Sequence, residues 1–204
     1  MPDFVYLASQ SPRRSQLLEQ IGVRHTLLLP DADEDAEALE ALLPGEVPKS
    51  YVQRVTHAKA DAALHRWQSR GLPPAPIVCA DTTVALGGQI LGKPTDADDA
   101  TRILRALSGQ WHEVLTAAVL VNPATGTRQS ACSVSRVLFD TLDDARIATY
   151  IATGEPFGKA GAYGIQGVAA LLVARIEGSF SGIVGLPLFE VGQMLRACGV
   201  LRKI

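Results

Sequence analysis

Short apolar runs of strand length alternate with helical patterns along the chain, and this alternation constrains the fold more than any other feature. The longest apolar stretches, Ala117–Val121 and Ala169–Ala174, are far shorter than the roughly 20 residues of a membrane-spanning helix. No internal repeat and no linker-like change of composition interrupts the series. The alternation predicts an α/β fold with a central mixed sheet, built as one domain over Met1–Ile204 with two lobes around a cleft.

The boundaries of these elements follow from apolar periodicity and from the residues that begin and end helices. The predicted strands are Phe4–Ala8, Arg24–Leu29, Ile77–Leu86, Gln89–Leu91, Trp111–Val121, Gln129–Phe139 and Ala169–Ile176. The predicted helices are Arg13–Ile21, Ser50–Arg70, Asp96–Leu107, Asp143–Thr153 and Pro187–Cys198.

Charge and cysteine content exclude several classes of protein. The 204 residues include 19 Lys and Arg against 21 Asp and Glu, a net charge of −2, which argues against generic binding of duplex DNA. Cys79, Cys132 and Cys198 are far apart and form no CxxC pair, so a reducing compartment is expected. The N-terminus lacks the basic region of a signal peptide. We therefore expect a soluble cytoplasmic protein that binds neither nucleic acid nor membranes.

A candidate anion site lies where the first strand meets the first helix. Arg13 and Arg14 fall in the first turn of that helix, where cations oppose the helix dipole. A bound anion would reverse this, because it would meet free backbone N–H groups, the Ser9 hydroxyl and two guanidinium groups. Phosphate is the natural candidate. The alternative is a surface helix with two solvated arginines.

Asp81 interrupts the apolar strand Ile77–Leu86. A carboxylate is costly to bury there unless it is paired or holds a cation, so Asp81 is a candidate general base or metal ligand. Lys59 lies on the apolar stripe of its helix, and Lys93 follows the strand that pairs with the strand of Asp81. Both lysines could point into the same cleft. The alternatives are solvated lysines and an Asp81 bonded to a neighbouring turn.

Seven carboxylates and no Lys or Arg lie between Asp31 and Glu46. This composition predicts a solvated loop with a short helix, although carboxylates here could also hold a cation. A second unusual stretch, Gly154–Gly167, has five glycines in fourteen positions, which suggests close approach of the backbone to a ligand. It is not a P-loop, because the glycine spacing is too short and Ala follows Lys159.

Two side chains of this glycine-rich stretch are candidates for nucleotide recognition. Tyr163 could stack on a base, and Gln166 could read one through its amide donor and acceptor. The alternative is a purely structural glycine loop.

In this order and spacing, the segments resemble the Maf family, the septum-formation-inhibitor-like nucleoside triphosphate pyrophosphatases. The resemblance extends nearly end to end. It rests on Leu7–Arg14, the pair Asp33 and Glu34, Ala58–Ala60, Ala80–Thr82, Leu91–Pro94, Leu107–Gly109 with His112 and Thr116, Gly158–Gly167, and Gly185–Pro187.

The resemblance implies a single elongated α/β/α unit with a central cleft, similar to inosine triphosphate pyrophosphatases. It also implies a house-cleaning hydrolase that cuts nucleoside triphosphates between the α- and β-phosphates, releasing a monophosphate and pyrophosphate. Such an enzyme depends on a divalent cation, Mg²⁺, Mn²⁺ or Co²⁺, and homodimers are common among its relatives.

Matching positions carry the implied roles. Asp81 is the catalytic carboxylate, acting as base or as metal ligand, and Glu34 assists with the cation. Specificity is assigned to Gln166, Tyr163 and Arg13. The set that handles the phosphates is Ser9, Arg13, Arg14, Lys59 and Lys93, and Gln166 also contacts the substrate.

Two branches of the family differ in substrate. One resembles dTTP/UTP pyrophosphatases and carries Gly-Lys-Ala-Gly-Ala-Tyr-x-Ile-Gln-Gly. The other prefers 7-methyl-GTP, starts this stretch with Cys-Ala-Gly and has an acidic residue before the last glycine. Gly158–Gly167 matches the first pattern, so the resemblance implies dTTP and UTP as substrates, with modified pyrimidine nucleotides as further candidates.

A competing hypothesis is a nucleotide-binding regulator of cell division or septum formation without essential catalysis. Such a binder would need the cationic residues but not Asp81. The presence of both favours an enzyme.

Overall fold

The structure, a computed structural model, describes residues 3–31, 34–35 and 38–201. Its strands are β1 (Phe4–Leu7), β2 (Arg24–Leu27), β3 (Ile77–Leu86), β4 (Gln89–Leu91), β5 (Trp111–Asn122), β6 (Thr127–Phe139) and β7 (Val173–Glu177). Its α-helices are α1 (Pro12–Gln20), α2 (Pro48–Ser69), α3 (Ala97–Leu107), α4 (Asp144–Ala152), α5 (Phe180–Val184) and α6 (Leu188–Ala197). Short 3₁₀ turns occupy Ala38–Glu40, Ala160–Ala162 and Val168–Leu172.

The seven strands form one sheet in the order β2-β1-β3-β5-β6-β7, with β4 paired to β3. Strand β1 pairs in parallel with both β2 and β3. The remaining strand pairs are antiparallel. The predicted α/β fold with a mixed sheet is therefore confirmed. None of the helices within the described ranges is both long and apolar enough to cross a membrane.

Helices cover both faces of the sheet. Side chains alternate between the two faces along a strand, so neighbouring residues of β3 pack against different helices. Ile77 and Cys79 of β3 pack with Ala63 of α2. Val78 and Ala80 belong to the larger core on the opposite face, to which α3 contributes. This alternation gives the α/β/α layering that the resemblance implies. The same alternation sets the directions of Asp81 and Thr82, the next side chains of β3, and both line the cleft described below.

The predicted elements agree with the observed ones to within two residues at each end, with one exception. The strand predicted over Ala169–Ile176 is wrong in its first half, because 3₁₀ geometry extends over Val168–Leu172. Ala169 and Leu172 are buried at a spacing of three residues, which is one turn of a 3₁₀ helix. The strand follows only from Val173. Helix α5 was not predicted.

Candidate active site

A cleft of about 580 Å³ opens where β1 ends, between the acidic segment, α2 and the glycine-rich loop. This volume lies within the usual range for small-molecule sites. The cleft is lined by every residue to which the sequence analysis assigned a catalytic, substrate-binding or metal role, namely Ser9, Arg13, Arg14, Glu34, Lys59, Asp81, Lys93, Tyr163 and Gln166. Residues separated by more than 150 positions in the chain therefore meet around one space.

Asp81 lies two residues after Cys79 on β3 and so faces the same side of the sheet, toward α2. The Asp81 side chain is only 11% exposed. Lys59 of α2 donates a hydrogen bond to Asp81 Oδ1 over 2.6 Å and another to Glu40 Oε1 over 2.7 Å. Lys93 donates to the second oxygen of Glu40 over 2.8 Å. Two carboxylates and two lysines thus alternate along one wall of the cleft.

Glu40 was missed by the sequence analysis, although it links both lysines. It ends the short 3₁₀ turn of the acidic segment, and nothing in the sequence separates it from the other acids nearby. Burial works to raise the pKa of Glu40, but hydrogen bonds from Lys59 and Lys93 outweigh it and hold that pKa below its ordinary value. The carboxylate is therefore ionised at neutral pH.

Arg14 of α1 also lines the cleft and is held by three acceptors. Its Nε donates to Gly185 O over 2.8 Å, and its two Nη atoms donate to Ser9 Oγ and Thr82 Oγ1 over 2.9 and 3.4 Å. Burial lowers the pKa of Arg14, and the charge of Asp81 works against this effect. The arginine is thus a fixed, partly desolvated cation rather than a solvated one.

The Thr82 hydroxyl, which accepts a hydrogen bond from Arg14, belongs to a chain of hydrogen bonds that crosses the sheet, here called the relay. Thr82 and Thr116 are register partners on β3 and β5, and their hydroxyl oxygens lie 2.9 Å apart. Thr116 donates in turn to Gly182 O of α5 over 2.7 Å. This relay connects the cleft to the short helix that precedes Gly185.

Arg13 and Lys159 are two further cations at the cleft. Among the described residues, the Arg13 side chain has no hydrogen-bond partner, and burial lowers the pKa of Arg13. Burial also lowers the pKa of Lys159, and the charge of Arg13 adds to that effect. Glu155 supplies part of the opposite charge for both groups, and a bound anion would relieve the remaining penalty.

Glu34 lies at the cleft but is engaged by another partner. Arg66 Nε and Nη2 donate to its two carboxylate oxygens over 2.8 and 2.5 Å, and Arg66 also donates to Leu28 O. These hydrogen bonds lower the pKa of Glu34 from 4.5 to about 2. The cation role of Glu34 stays a prediction, and Glu40 is the carboxylate that shares Lys59 with Asp81. Asp33 of the same motif lies outside the described residues.

This pairing predicts a stability effect for Glu34→Gln. We expect the free energy of unfolding at pH 7 to fall by about 1–3 kcal/mol, since Arg66 is buried and loses a charged acceptor. Because the pKa of Glu34 is lowered by folding, this contribution is complete above pH 4.5 and is lost as the pH falls toward 2. Urea unfolding of both proteins at pH 7 and pH 3.5 measures it. An equal difference at the two pH values would contradict the assignment.

The glycine-rich loop closes the cleft from the other side. Gly161 has φ +69, and a Cβ there would lie 2.8 Å from Val84, so only glycine allows this approach. Its N–H donates to Gly92 O, next to Lys93. Tyr163 is buried, and its hydroxyl lies 2.8 Å from His112 Nε2. Gln166, in contrast, is exposed at the cleft.

The burial of Tyr163 bears on its predicted contact with a base. Its ring packs edge-on against His112 and Phe139, inside the core. Base stacking by Tyr163 stays a prediction, and the contacts seen here favour a role in anchoring the loop. Burial lowers the pKa of His112 to about 4, so this anchor is an uncharged pair at neutral pH.

Comparison with known proteins gives a consistent result. A family model described as Maf-like protein matches residues 4–198. A dTTP/UTP pyrophosphatase from Albidiferax ferrireducens is 60% identical over 98% of each chain. Proteins with the same name from Ralstonia nicotianae and Cupriavidus pinatubonensis are 63% and 60% identical, over 96% of this chain and 94% and 97% of theirs.

Proposed function

The chain belongs to the Maf family, and we propose that it is a dTTP/UTP pyrophosphatase with a house-cleaning role, cutting the bond between the α- and β-phosphates. The observation that carries this proposal is that one buried carboxylate, Asp81, lies in a single cleft with Lys59, which donates to it, and with Arg14. The relatives' names are those of enzymes, which favours catalysis over the alternative of a regulator that only binds nucleotides.

The cations of the cleft supply the positive charge and the hydrogen-bond donors that bind a triphosphate. Arg14 and Ser9 lie at the start of α1, where backbone N–H groups and the helix dipole favour an anion. Lys59 and Lys93 line the same cleft and are paired with Asp81 and Glu40. When the substrate enters, its phosphates compete with the carboxylates of Asp81 and Glu40 for these lysines. We infer that both lysines then turn toward phosphate oxygens.

The carboxylates released from these lysines fit a divalent cation. No group of three or more His, Cys, Asp or Glu side chains suited to a metal occurs in the described part of the chain. Mg²⁺, however, is usually held by one or two carboxylates together with substrate phosphates. Asp81 and Glu40 offer such a donor set, made only of oxygen atoms, which suits Mg²⁺ or Mn²⁺; Co²⁺ also stays a prediction. When bound, the cation offsets the negative charge that builds up on the phosphates.

Asp81 is placed to act on water. Its carboxylate is buried, lies against Lys59 and faces the cleft, so it can orient an attacking water or take its proton. Phosphoryl and nucleotidyl transfer depend mainly on positioning and charge stabilisation, so no Ser or Cys nucleophile is required. Both the base and the metal-ligand role of Asp81 are compatible with this placement.

The implied homodimer and cytoplasmic location are retained as predictions. Light scattering on the purified protein would test the first, and fractionation of cells that express the chain would test the second.

Base choice is assigned to Gln166, which is exposed at the cleft on the glycine-rich loop. Its amide can pair with the donor and acceptor edge of uracil or thymine. For Gln166→Ala we expect kcat/KM for UTP and dTTP to fall about tenfold, because the base edge loses its partner. The value for ATP should change much less.

The test is steady-state kinetics of both proteins with UTP, dTTP, CTP, ATP and GTP. The wild-type protein should prefer UTP and dTTP. If all nucleotides lose activity by one common factor in Gln166→Ala, Gln166 belongs to the phosphate machinery. If the wild-type protein shows no preference for UTP and dTTP, the proposed substrate class is wrong.

A further inference from the structure

We propose that Glu155 is a positioning residue for base selection, acting through the glycine-rich loop rather than on the substrate. This inference rests on the proposed function, because it concerns how the base-reading Gln166 is held. Glu155 lies at the start of the loop and outside the cleft lining. It therefore does not line the substrate space itself, although its charge acts on Arg13 and Lys159 at the cleft.

The carboxylate of Glu155 joins the two ends of the loop. It accepts hydrogen bonds from the backbone N–H groups of Val168 over 2.7 Å and Ala169 over 3.1 Å. These residues follow Gln166 by two and three positions. The carbonyl oxygen of Glu155 also accepts a hydrogen bond from Lys159 Nζ. One residue thus binds the loop near its beginning and just after its base-reading side chain.

The backbone beside Gln166 lies directly against this carboxylate. A Cβ at Gly167 would lie 2.1 Å from Glu155 Oε2, so any other residue there would force the Glu155 carboxylate to move. The glycine next to Gln166 therefore makes room for Glu155 in its present position, and its own φ of −102° is one that other residues adopt. The contact between Glu155 and Gly167 fixes the position of the backbone next to Gln166. We call the Glu155 carboxylate, with its hydrogen bonds to Val168 and Ala169, the clasp.

The clasp is itself fixed to the core. Tyr150 of α4 is 2% exposed, and its hydroxyl donates to Glu155 Oε1 over 2.9 Å. Burial works to raise the pKa of Glu155, but the hydrogen bonds from Ala169, Val168 and Tyr150 outweigh it and hold that pKa below its ordinary value. The carboxylate is charged at neutral pH, so its bonds to the N–H groups have the strength of charge-assisted hydrogen bonds.

Glu155→Gln tests the clasp with almost no change of size. The amide offers one acceptor and places an NH₂ group against a backbone donor, so one hydrogen bond becomes a repulsive contact. We expect kcat/KM for UTP and dTTP to fall about tenfold, mainly through KM, and the value for ATP to change less than about twofold. The ratio of UTP to ATP is the readout, since a general loss of stability would lower both alike.

Two variants give a graded comparison and a control. Tyr150→Phe removes one of three hydrogen bonds to the carboxylate and should lower the ratio of UTP to ATP by a smaller factor in the same direction. Glu113→Gln makes the same chemical change at an exposed position on β5 and should leave the ratio unchanged.

Amide hydrogen exchange provides a measurement that needs no substrate. In the wild-type protein the amides of Val168 and Ala169 should be protected, and in Glu155→Gln they should exchange at least about tenfold faster. If Glu155→Gln retains both the wild-type ratio and this protection, the clasp is refuted while the proposed function stands. If the wild-type protein does not hydrolyse UTP, the proposed function fails, and the exchange result still decides whether Glu155 holds the loop.

Discussion

Turnover of UTP should fall by about 10²–10⁴-fold when Asp81 is replaced by Asn, as expected for the loss of a positioned acid–base group. The amide can neither take a proton nor offer an anionic oxygen to a cation, yet it still accepts the hydrogen bond that Lys59 donates to Oδ1. Because the change is nearly isosteric and Lys59 keeps Glu40 as a charged partner, the melting temperature should stay close to that of the wild-type protein. Steady-state kinetics and thermal unfolding measure the two quantities.

The matched control for this variant is Asp98→Asn, an exposed position in the first turn of α3. It should leave turnover unchanged. A folded Asp81→Asn protein with the turnover of the wild type would remove Asp81 from the catalytic role and, with it, the reading of this cleft as an active site.

Arg14→Lys is expected to lower kcat/KM by about 10²-fold for every triphosphate tested, because lysine keeps the charge but cannot reproduce the planar fork of donors. The guanidinium is held at once by Gly185 O, Ser9 Oγ and Thr82 Oγ1. An ammonium group can satisfy only part of this set, so the cation moves from the position at which phosphate would meet it. The loss should be common to UTP, dTTP and ATP, since phosphate and not the base is affected.

Arg102→Lys serves as the control, since Arg102 is an exposed residue of α3 paired with Asp99. A selective loss for UTP and dTTP in Arg14→Lys would instead assign Arg14 to base recognition. A loss explained by a large drop in melting temperature would assign it to stability alone.

Much of this site could be predicted from local patterns. An acid inside an apolar strand and a lysine on the apolar stripe of a helix are costly to bury without partners, and Asp81 and Lys59 prove to be each other's partners. The placement of Ser9 and Arg14 at the beginning of a helix likewise followed from the local sequence. In each case the chain itself shows a polar group where burial is expected.

Other features depend on which distant residues meet, and no local pattern contains that information. The acidic segment was predicted as a solvated loop with a short helix, yet two of its carboxylates pair with basic residues from elsewhere in the fold, Glu34 with Arg66 and Glu40 with Lys59. The 3₁₀ turn at Val168 arises beside hydrogen bonds to Glu155, thirteen residues earlier. Apolar content alone cannot distinguish such a turn from a strand.

The products of UTP hydrolysis test the central claim most directly. Chromatography of the reaction with a divalent cation present should show UMP and pyrophosphate in equal amounts from the wild-type protein, and at least about 10²-fold less of both in the same time from Asp81→Asn. UDP with orthophosphate would mean that the bond between the β- and γ-phosphates is cut. That result, or equal formation of UMP by both proteins, would contradict the account.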